Sequence, residues 1–525
     1  MTNPRLIGGG IWSVAYTAAM NRVIRALVAA TVALGGVVLS AAPSPTVVRV
    51  REWRAAHERQ ILAELIDLVS LPNIASNQAD IVKNADALTT MFQKRGFSVA
   101  RIATPGSPVL VARRDAVNAI GTLTFYLHYD GQPTEAKDWT MGAPFAPKAF
   151  KGQTPVDLTT AASPIDPDVR IYARAVADDK GPIVALLAAM DGLVETRAAI
   201  PWSLRVVLDG EEEAGSPNFT AAMTANAAAV RGDLAIVVDS PRHPSGLPTV
   251  FHGSRGLTGA EITIHGAMGD LHSGNYGNFV TDPAMALTKL IASMKDDAGN
   301  VAIKNFYDDV VALTETERRA IDEIPNVDQK LLEQFGVARA EHPDSRIELQ
   351  HNRPTLTVVG LQSGTVGANA RNAVSGSATG RVEMRLVKGL DEKRQFERLV
   401  AHIRAQGYFI VDGPPDAATR RRYSKIAQVK QSGTSFPISK AAIDDPRTVM
   451  AANAIRALDQ RLVQMPTIGG SLPFSTFNDS LAMPTIGLAV VNFDNNQHAV
   501  NENLRVGHLW EAIDIFAALI TMSRP

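Results

Sequence analysis

The chain has 525 residues, too many for one ordinary hydrophobic core, so at least two domains are expected. Its 46% hydrophobic and 20% charged residues match a soluble globular protein, and a formal net charge of −1 excludes the basic surplus of a nucleic-acid binder. The absence of cysteine excludes disulfides and cysteine-linked lipid anchors. In chain order, the first element is a targeting segment. "NRVIR" at 21–25 is basic, Ala26 to Ala42 is apolar and uncharged, and Ser40-Ala41-Ala42 offers small residues before "PSP". This pattern predicts a secretory signal peptide over 1–42, cleaved near Ala42, and hence a periplasmic or secreted protein. Met20 makes a better start than Met1 because it leaves a shorter basic region. The alternative is an uncleaved membrane anchor, for which the apolar run is short.

Two helices follow. "REWRAAHERQILAELIDLVSLP" has apolar residues at helical spacing and closes at Pro72, and "ADIVKNADALTTMFQKRGF" stops at Gly96. Short β-rich runs come next: "PVLVARR", "LTFYLHY", "WSLRVVL" and "LAIVVD". Helical segments alternate with them, which predicts a parallel sheet covered on both faces. The polar, proline-containing stretch "APKAFKGQTPVDLTTAASPIDPDV" reads as a surface loop.

From about Phe251 the order becomes β-α-β-β-α-β, ending on the strand "GYFIVDG", which predicts a ferredoxin-like sandwich. A charged helical insert, roughly Lys304 to His342, interrupts it. "DPRTVMAANAIRALDQ" and "MPTIGLAVV" then return to the α/β style. The fold class is therefore α/β: a discontinuous domain over 46–250 and 426–525, with a smaller α+β domain inserted at 251–425.

In open α/β sheets ligands bind beyond the carboxyl ends of the strands. His128 and Asp130 follow "LTFYL", the acidic run of "LDGEEEAGSPNF" follows "SLRVVL", Asp239 follows "LAIVV", and His498 lies in the loop after "IGLAVV". Asp178 and Asp179 stand just before a helix that begins near Gly181. Each feature alone has a plainer alternative: helix capping for Asp178-Asp179, a solvated loop for the acids, a surface residue for a lone histidine. Together, two histidines and several acids reach one edge of one sheet from separate segments. That donor set suits zinc, with manganese or cobalt also compatible. Two such ions, about 3.5–4 Å apart and sharing a carboxylate, can activate a water and polarise a carbonyl. A further carboxylate nearby can carry the proton.

Five ordered motifs, "HYDGQP", "ARAVADDKGP", "DGEEEAGS", "DLHSG" and "HAVNE", resemble the M20 family of di-zinc metallopeptidases. That family includes carnosinase-like dipeptidases, the glutamate carboxypeptidase used against folates and succinyl-diaminopimelate desuccinylase. The resemblance implies a zinc-exopeptidase-like catalytic domain and an inserted lid or dimerisation domain. It implies two bound divalent ions, with His128 and Asp239 on one, Glu213 and His498 on the other, and Asp178 bridging, its bond to Asp179 commonly cis. It assigns Asp130 to orienting His128 and Glu212 to the general base. His272 matches a histidine that reaches the partner's active site in a homodimer. Arg385 matches a substrate-carboxylate arginine, Asn372 a polar lid residue, and Gly470 and Ser471 of "GGSLP" a substrate-cradling turn.

This sequence departs from the family pattern in three places. Ile468 stands where carnosinase-like members often have an acid, which puts the need for a free substrate amine in doubt. Asp209 replaces a usual Glu, and Ala173 and Ala175 stand where glycines are common. Within the acidic run, Asp209 is expected to support the loop and Glu211 to be solvated. The implied activity is an exported exopeptidase acting on dipeptides or on the C-terminal residue of short peptides. The alternatives are an N-acyl-amino-acid deacylase at the same site and a non-catalytic peptide-binding protein on this fold.

Overall fold

The computed structural model describes residues 43–432, 436–458 and 461–524; the signal-peptide expectation, 1–42, lies outside the described residues. The first helix, Pro45–Val69, starts where its sequence directs. Ser44 accepts a hydrogen bond from the Val47 N–H at 3.3 Å, and Pro45 sits in the first turn, where its missing N–H costs nothing. Its buried stripe includes Val50, Ile61, Leu62, Leu65 and Leu68. It packs with the helices Lys180–Glu195 and Val506–Thr521. The last of these is apolar nearly all round and buried along most of its length.

Among the described residues the larger sheet has eight strands. Across it run Ser98–Ile102, Val109–Arg114, Trp202–Asp209, Gly121–His128, Leu234–Val237, Thr485–Ala489, Thr249–Phe251 and Val463–Met465. The central block from Trp202–Asp209 to Thr485–Ala489 is parallel throughout. Alternate residues of one strand enter different cores. Leu123, Phe125 and Leu127 face the three helices, whereas Tyr126 packs with Val207, Phe219 and Phe477. Both faces are covered, as the alternation of strands and helices predicts.

The smaller sheet runs Thr355–Gln362, Ser377–Leu386, Gly256–His265, Ile426–Gln431 and Phe409–Val411. The helices Pro283–Ala292 and Glu392–Ala405 pack on it, giving the β-α-β-β-α-β order. Its fourth sandwich strand is Ile426–Gln431, antiparallel to Gly256–His265, and not "GYFIVDG". The latter contributes only the parallel edge strand Phe409–Val411. The breaks read at 251 and 426 therefore each move by a few residues. Thr249–Phe251 still belongs to the larger sheet and Ile426–Gln431 to the smaller.

The stretch read as a surface loop at 146–169 contains a hairpin instead. Lys148–Lys151 pairs with Thr154–Val156 around Gly152, whose φ of 60° suits the turn. Arg170–Tyr172 and Asn503–Arg505 extend it to a four-stranded antiparallel sheet. Lys148, Lys151 and Thr154 of the hairpin are exposed and only the outermost strand, Asn503–Arg505, comes from far along the chain, so composition alone reads as loop.

Candidate active site

Three adjacent parallel strands end together. His128 is the last residue of its strand and pairs in register with Asp209, while Asp239 follows the neighbouring strand Leu234–Val237. Asp178 precedes the helix Lys180–Glu195, and the Asp178–Asp179 peptide bond is cis, as the resemblance implies. His498 comes from the loop after Thr485–Ala489. Its φ of 61° and the φ of 61° at Ala175 are left-handed conformations that persist only where neighbours hold them.

The side chains converge on Asp178. Its Oδ1 lies 2.8 Å from His128 Nε2, and its Oδ2 lies 3.1 Å from His498 Nε2. Asp239 Oδ2 is 3.9 Å from His128 Nε2, and Glu213 Oε2 is 3.2 Å from His498 Nε2. His128, Asp178 and Asp239 form one group able to hold a metal ion; Asp178, Glu213 and His498 form a second. The two groups share Asp178, one oxygen toward each histidine.

Supporting contacts fix this arrangement. Asp130 accepts the backbone N–H of Glu212 on one oxygen and that of Glu213 on the other, both at 3.0 Å. The Oδ1 that receives Glu212 also lies 3.4 Å from His128 Nδ1, so Asp130 ties the imidazole to the acidic turn. Asp179 makes no capping bond to its helix; its Oδ2 accepts from the His128 N–H at 3.3 Å. Three contributors escaped the sequence reading. Gln132 donates to Glu213 Oε2 at 2.7 Å, and Gln497 donates to Asp178 Oδ2 at 3.1 Å. Buried Glu502 accepts from Arg174 and from the backbone N–H groups of Ala175, Ala177 and Asp178, which holds the whole Asp178 loop. Gln132 and Glu502 lie inside quoted motifs, which was the available signal.

The acidic turn itself divides. Gly215, at φ 91°, closes the short 3-10 turn Glu212–Ala214. Asp209 accepts from Ser216 Oγ at 2.7 Å and from the Glu211 N–H at 3.2 Å, a supporting contact for the loop. Glu211 is not solvated. It is buried, accepting the Ser107 N–H at 3.0 Å and Asn218 Nδ2 at 2.6 Å. Glu211→Ala should therefore lower stability by about 1–3 kcal/mol, because it strands a buried donor. An unchanged urea midpoint would restore the solvated reading.

The electrostatics call for cations. Burial above all, reinforced by neighbouring carboxylates, pushes Glu213 up to about 8 and Asp239 up to about 7. Burial and then Asp239 push Glu212 well above the usual carboxylate range. Against burial, the imidazoles of His128 and His498 hold Asp178 below it. The hydrogen bond to Asp178 raises His498 to about 9. Asp239 Oδ2 is buried with no hydrogen-bond partner among the described residues. An unpaired buried carboxylate oxygen facing an imidazole, in a cluster of crowded acids, is what a divalent ion satisfies. The residues fit a pair of such ions.

A cleft of about 840 Å³ opens onto this cluster. Arg385, Gly470 and Ser471 line it with Glu212, Glu213, Asp178, Asp239 and His498. Arg385 Nη1 donates to Ser471 Oγ at 2.9 Å, joining the inserted sandwich to the cradle turn. His272 and Asn372 come together elsewhere, on a two-stranded ribbon where Leu271–His272 pairs with Ala373–Val374. The Ser273 N–H donates to the Asn372 carbonyl at 2.9 Å, and His272 is exposed. Neither lines the cleft of its own chain.

The profile of peptidase family M20/M25/M40 matches residues 124–522. Among curated relatives, the Cys-Gly metallodipeptidase dug1 of Schizosaccharomyces pombe is 24% identical over 480 residues, 88% of this chain and 95% of the relative. The human Beta-Ala-His dipeptidase is 24% identical over 422 residues, 79% of this chain and 77% of the relative. Among solved structures, the M20 family metallo-carboxypeptidase Sso-CP2 of Sulfolobus solfataricus superposes with a TM-score of 0.73 at 25% identity, covering 88% of this chain and 98% of that one. The di-peptidase Dug1p of Saccharomyces cerevisiae gives 0.74 at 20% identity, covering 90% and 98%. The cluster on Asp178 thus sits in a metallopeptidase framework, and the chain belongs to peptidase family M20/M25/M40.

Proposed function

We propose that this protein is an exported di-zinc exopeptidase that hydrolyses dipeptides or releases the C-terminal residue of short peptides. One observation carries the reading: the two oxygens of Asp178 reach different histidines, 2.8 Å and 3.1 Å away, at the floor of a cleft. His128 and Asp239 would hold one ion, Glu213 and His498 the other, with Asp178 between them. Ions bound there would lower the pKa of a water and polarise the scissile carbonyl. Glu212 takes the water's proton and passes it to the leaving nitrogen. Asp130 keeps Glu212 in place through its backbone N–H. Arg385 and the Gly470-Ser471 turn grip the substrate carboxylate. The relatives named as a Cys-Gly and a Beta-Ala-His dipeptidase support a dipeptide as the substrate.

The proposed protein works as a homodimer through the inserted sandwich. His272 and Asn372 then serve the partner's cleft, where His272 steadies the oxyanion. Their exposed ribbon, apart from their own cleft, supports this. A monomeric mass in sedimentation with full activity would refute it.

The direct test is a panel of dipeptides, short peptides and N-acetyl amino acids, assayed with zinc and with chelator. Chelator-sensitive release of amino acids from dipeptides or peptide C-termini is expected. Turnover of N-acetyl amino acids alone would move the reading to a deacylase. N-terminal sequencing of the exported protein should begin near Pro43, just after the small residues at 40–42. Recovery of the intact N-terminus would refute cleavage.

A further inference from the structure

The cradle turn has an imidazole against it that the mechanism above leaves without a task. His351 follows the short helix Ile347–Gln350, in the stretch between the strands Gly256–His265 and Thr355–Gln362 of the smaller sheet. It lines the same cleft as Glu212, Arg385 and Ser471. A Cβ added to Gly469 would meet its Nε2 at 3.1 Å, so the ring sits directly on the turn, and glycine leaves it room there. Its Nδ1 is buried with no hydrogen-bond partner among the described residues. An imidazole here costs more than a leucine or methionine of similar size, so what distinguishes the ring is its other nitrogen, Nε2, which faces the cradle turn.

The surroundings favour an anion. The Arg255 N–H donates to the Gly470 carbonyl at 2.9 Å, and its guanidinium donates to the Arg353 carbonyl at 2.7 Å. Arg385 holds Ser471 from the other side. The nearby acids are already engaged: Glu383 accepts from Arg385 Nε at 2.7 Å, and Glu348 pairs with His243 at 3.0 Å. Burial, then the charge of Arg255, takes His351 down to about 4, so the ring is neutral at neutral pH. A neutral imidazole with its proton on Nε2 is a hydrogen-bond donor that adds no further cation to this cluster.

We propose that His351 is a third donor to the substrate's terminal carboxylate, beside Arg385 and Ser471, and that it selects substrates with a free C-terminus. This rests on the peptidase reading and adds a specificity residue to it. The test compares zinc-loaded wild type, His351→Leu and His351→Gln on one dipeptide and on its C-terminal amide. His351→Leu should raise KM for the free acid about tenfold, the loss expected for a hydrogen bond to a charged group. Its KM for the amide, whose carbonyl oxygen accepts only a neutral hydrogen bond, should rise less than its KM for the acid, and His351→Gln, which keeps a donor, should recover most of the loss. An equal effect on acid and amide, or no effect on either, would overturn the proposal.

Calorimetric binding of a free amino acid and its amide separates this proposal from the parent reading. If dipeptides were not turned over, the peptidase reading would fall while binding still decided the role of His351. Loss of the preference for acid over amide in His351→Leu supports that role, and an unchanged preference refutes it.

Discussion

Glu212→Gln should retain both metal ions and lose turnover by about 10²–10⁴-fold, the usual contribution of a positioned acid–base group. The substitution keeps the shape of the side chain and removes the basic oxygen. Glu212 belongs to neither metal-holding group, and the bond from its backbone N–H to Asp130 survives the change. The loss should fall on kcat, with metal content and unfolding midpoint unaltered. Its neighbour behaves differently. Glu213 Oε2 lies 3.2 Å from His498 Nε2 and accepts from Gln132, so Glu213→Gln should weaken metal binding, and excess zinc should restore part of its activity. Two adjacent glutamates with the same substitution then give opposite dependences on added metal. Equal zinc rescue of both variants would refute the assignment of Glu212 as proton carrier, and full activity in both would reduce the loop to a structural turn.

Asp178→Asn should remove both ions with one substitution. Its two carboxylate oxygens point to different histidines, and only a carboxylate can present an anionic oxygen to each. Losing even a partner behind a metal ligand typically costs 10–100-fold in affinity or activity, so loss of the shared ligand should cost more than about 100-fold. His128→Ala should be milder in metal content, because the group of Asp178, Glu213 and His498 remains whole. Metal analysis after gel filtration separates the two cases. A full complement of metal in Asp178→Asn would show that Asp178 does not bridge.

The clustering of histidines and acids was legible because these residues stand at strand ends. His128, the acidic run and Asp239 follow apolar runs that identify themselves as strands, and parallel neighbours bring those ends together. What was not legible depends on partners far away in sequence. Glu211 looks like one more solvated acid until Ser107, from another loop, donates its N–H to it. Glu502 sits in a quoted motif, but its four donors lie more than 300 residues earlier. Ile426–Gln431 has too few residues to announce which sheet it joins, and its pairing with Gly256–His265 decides that. His351 lies past the charged insert, in a stretch that matches no motif, and only the fold puts its ring on Gly469.

If Asp178 bridges two catalytic ions, metal and activity must leave and return together. The decisive measurement follows metal per chain and dipeptide or acyl-amino-acid turnover in one sample, through stepwise chelation and zinc re-addition. Two equivalents at full activity, loss of activity as they leave, and recovery on zinc return are expected. Full turnover by metal-free protein would contradict this.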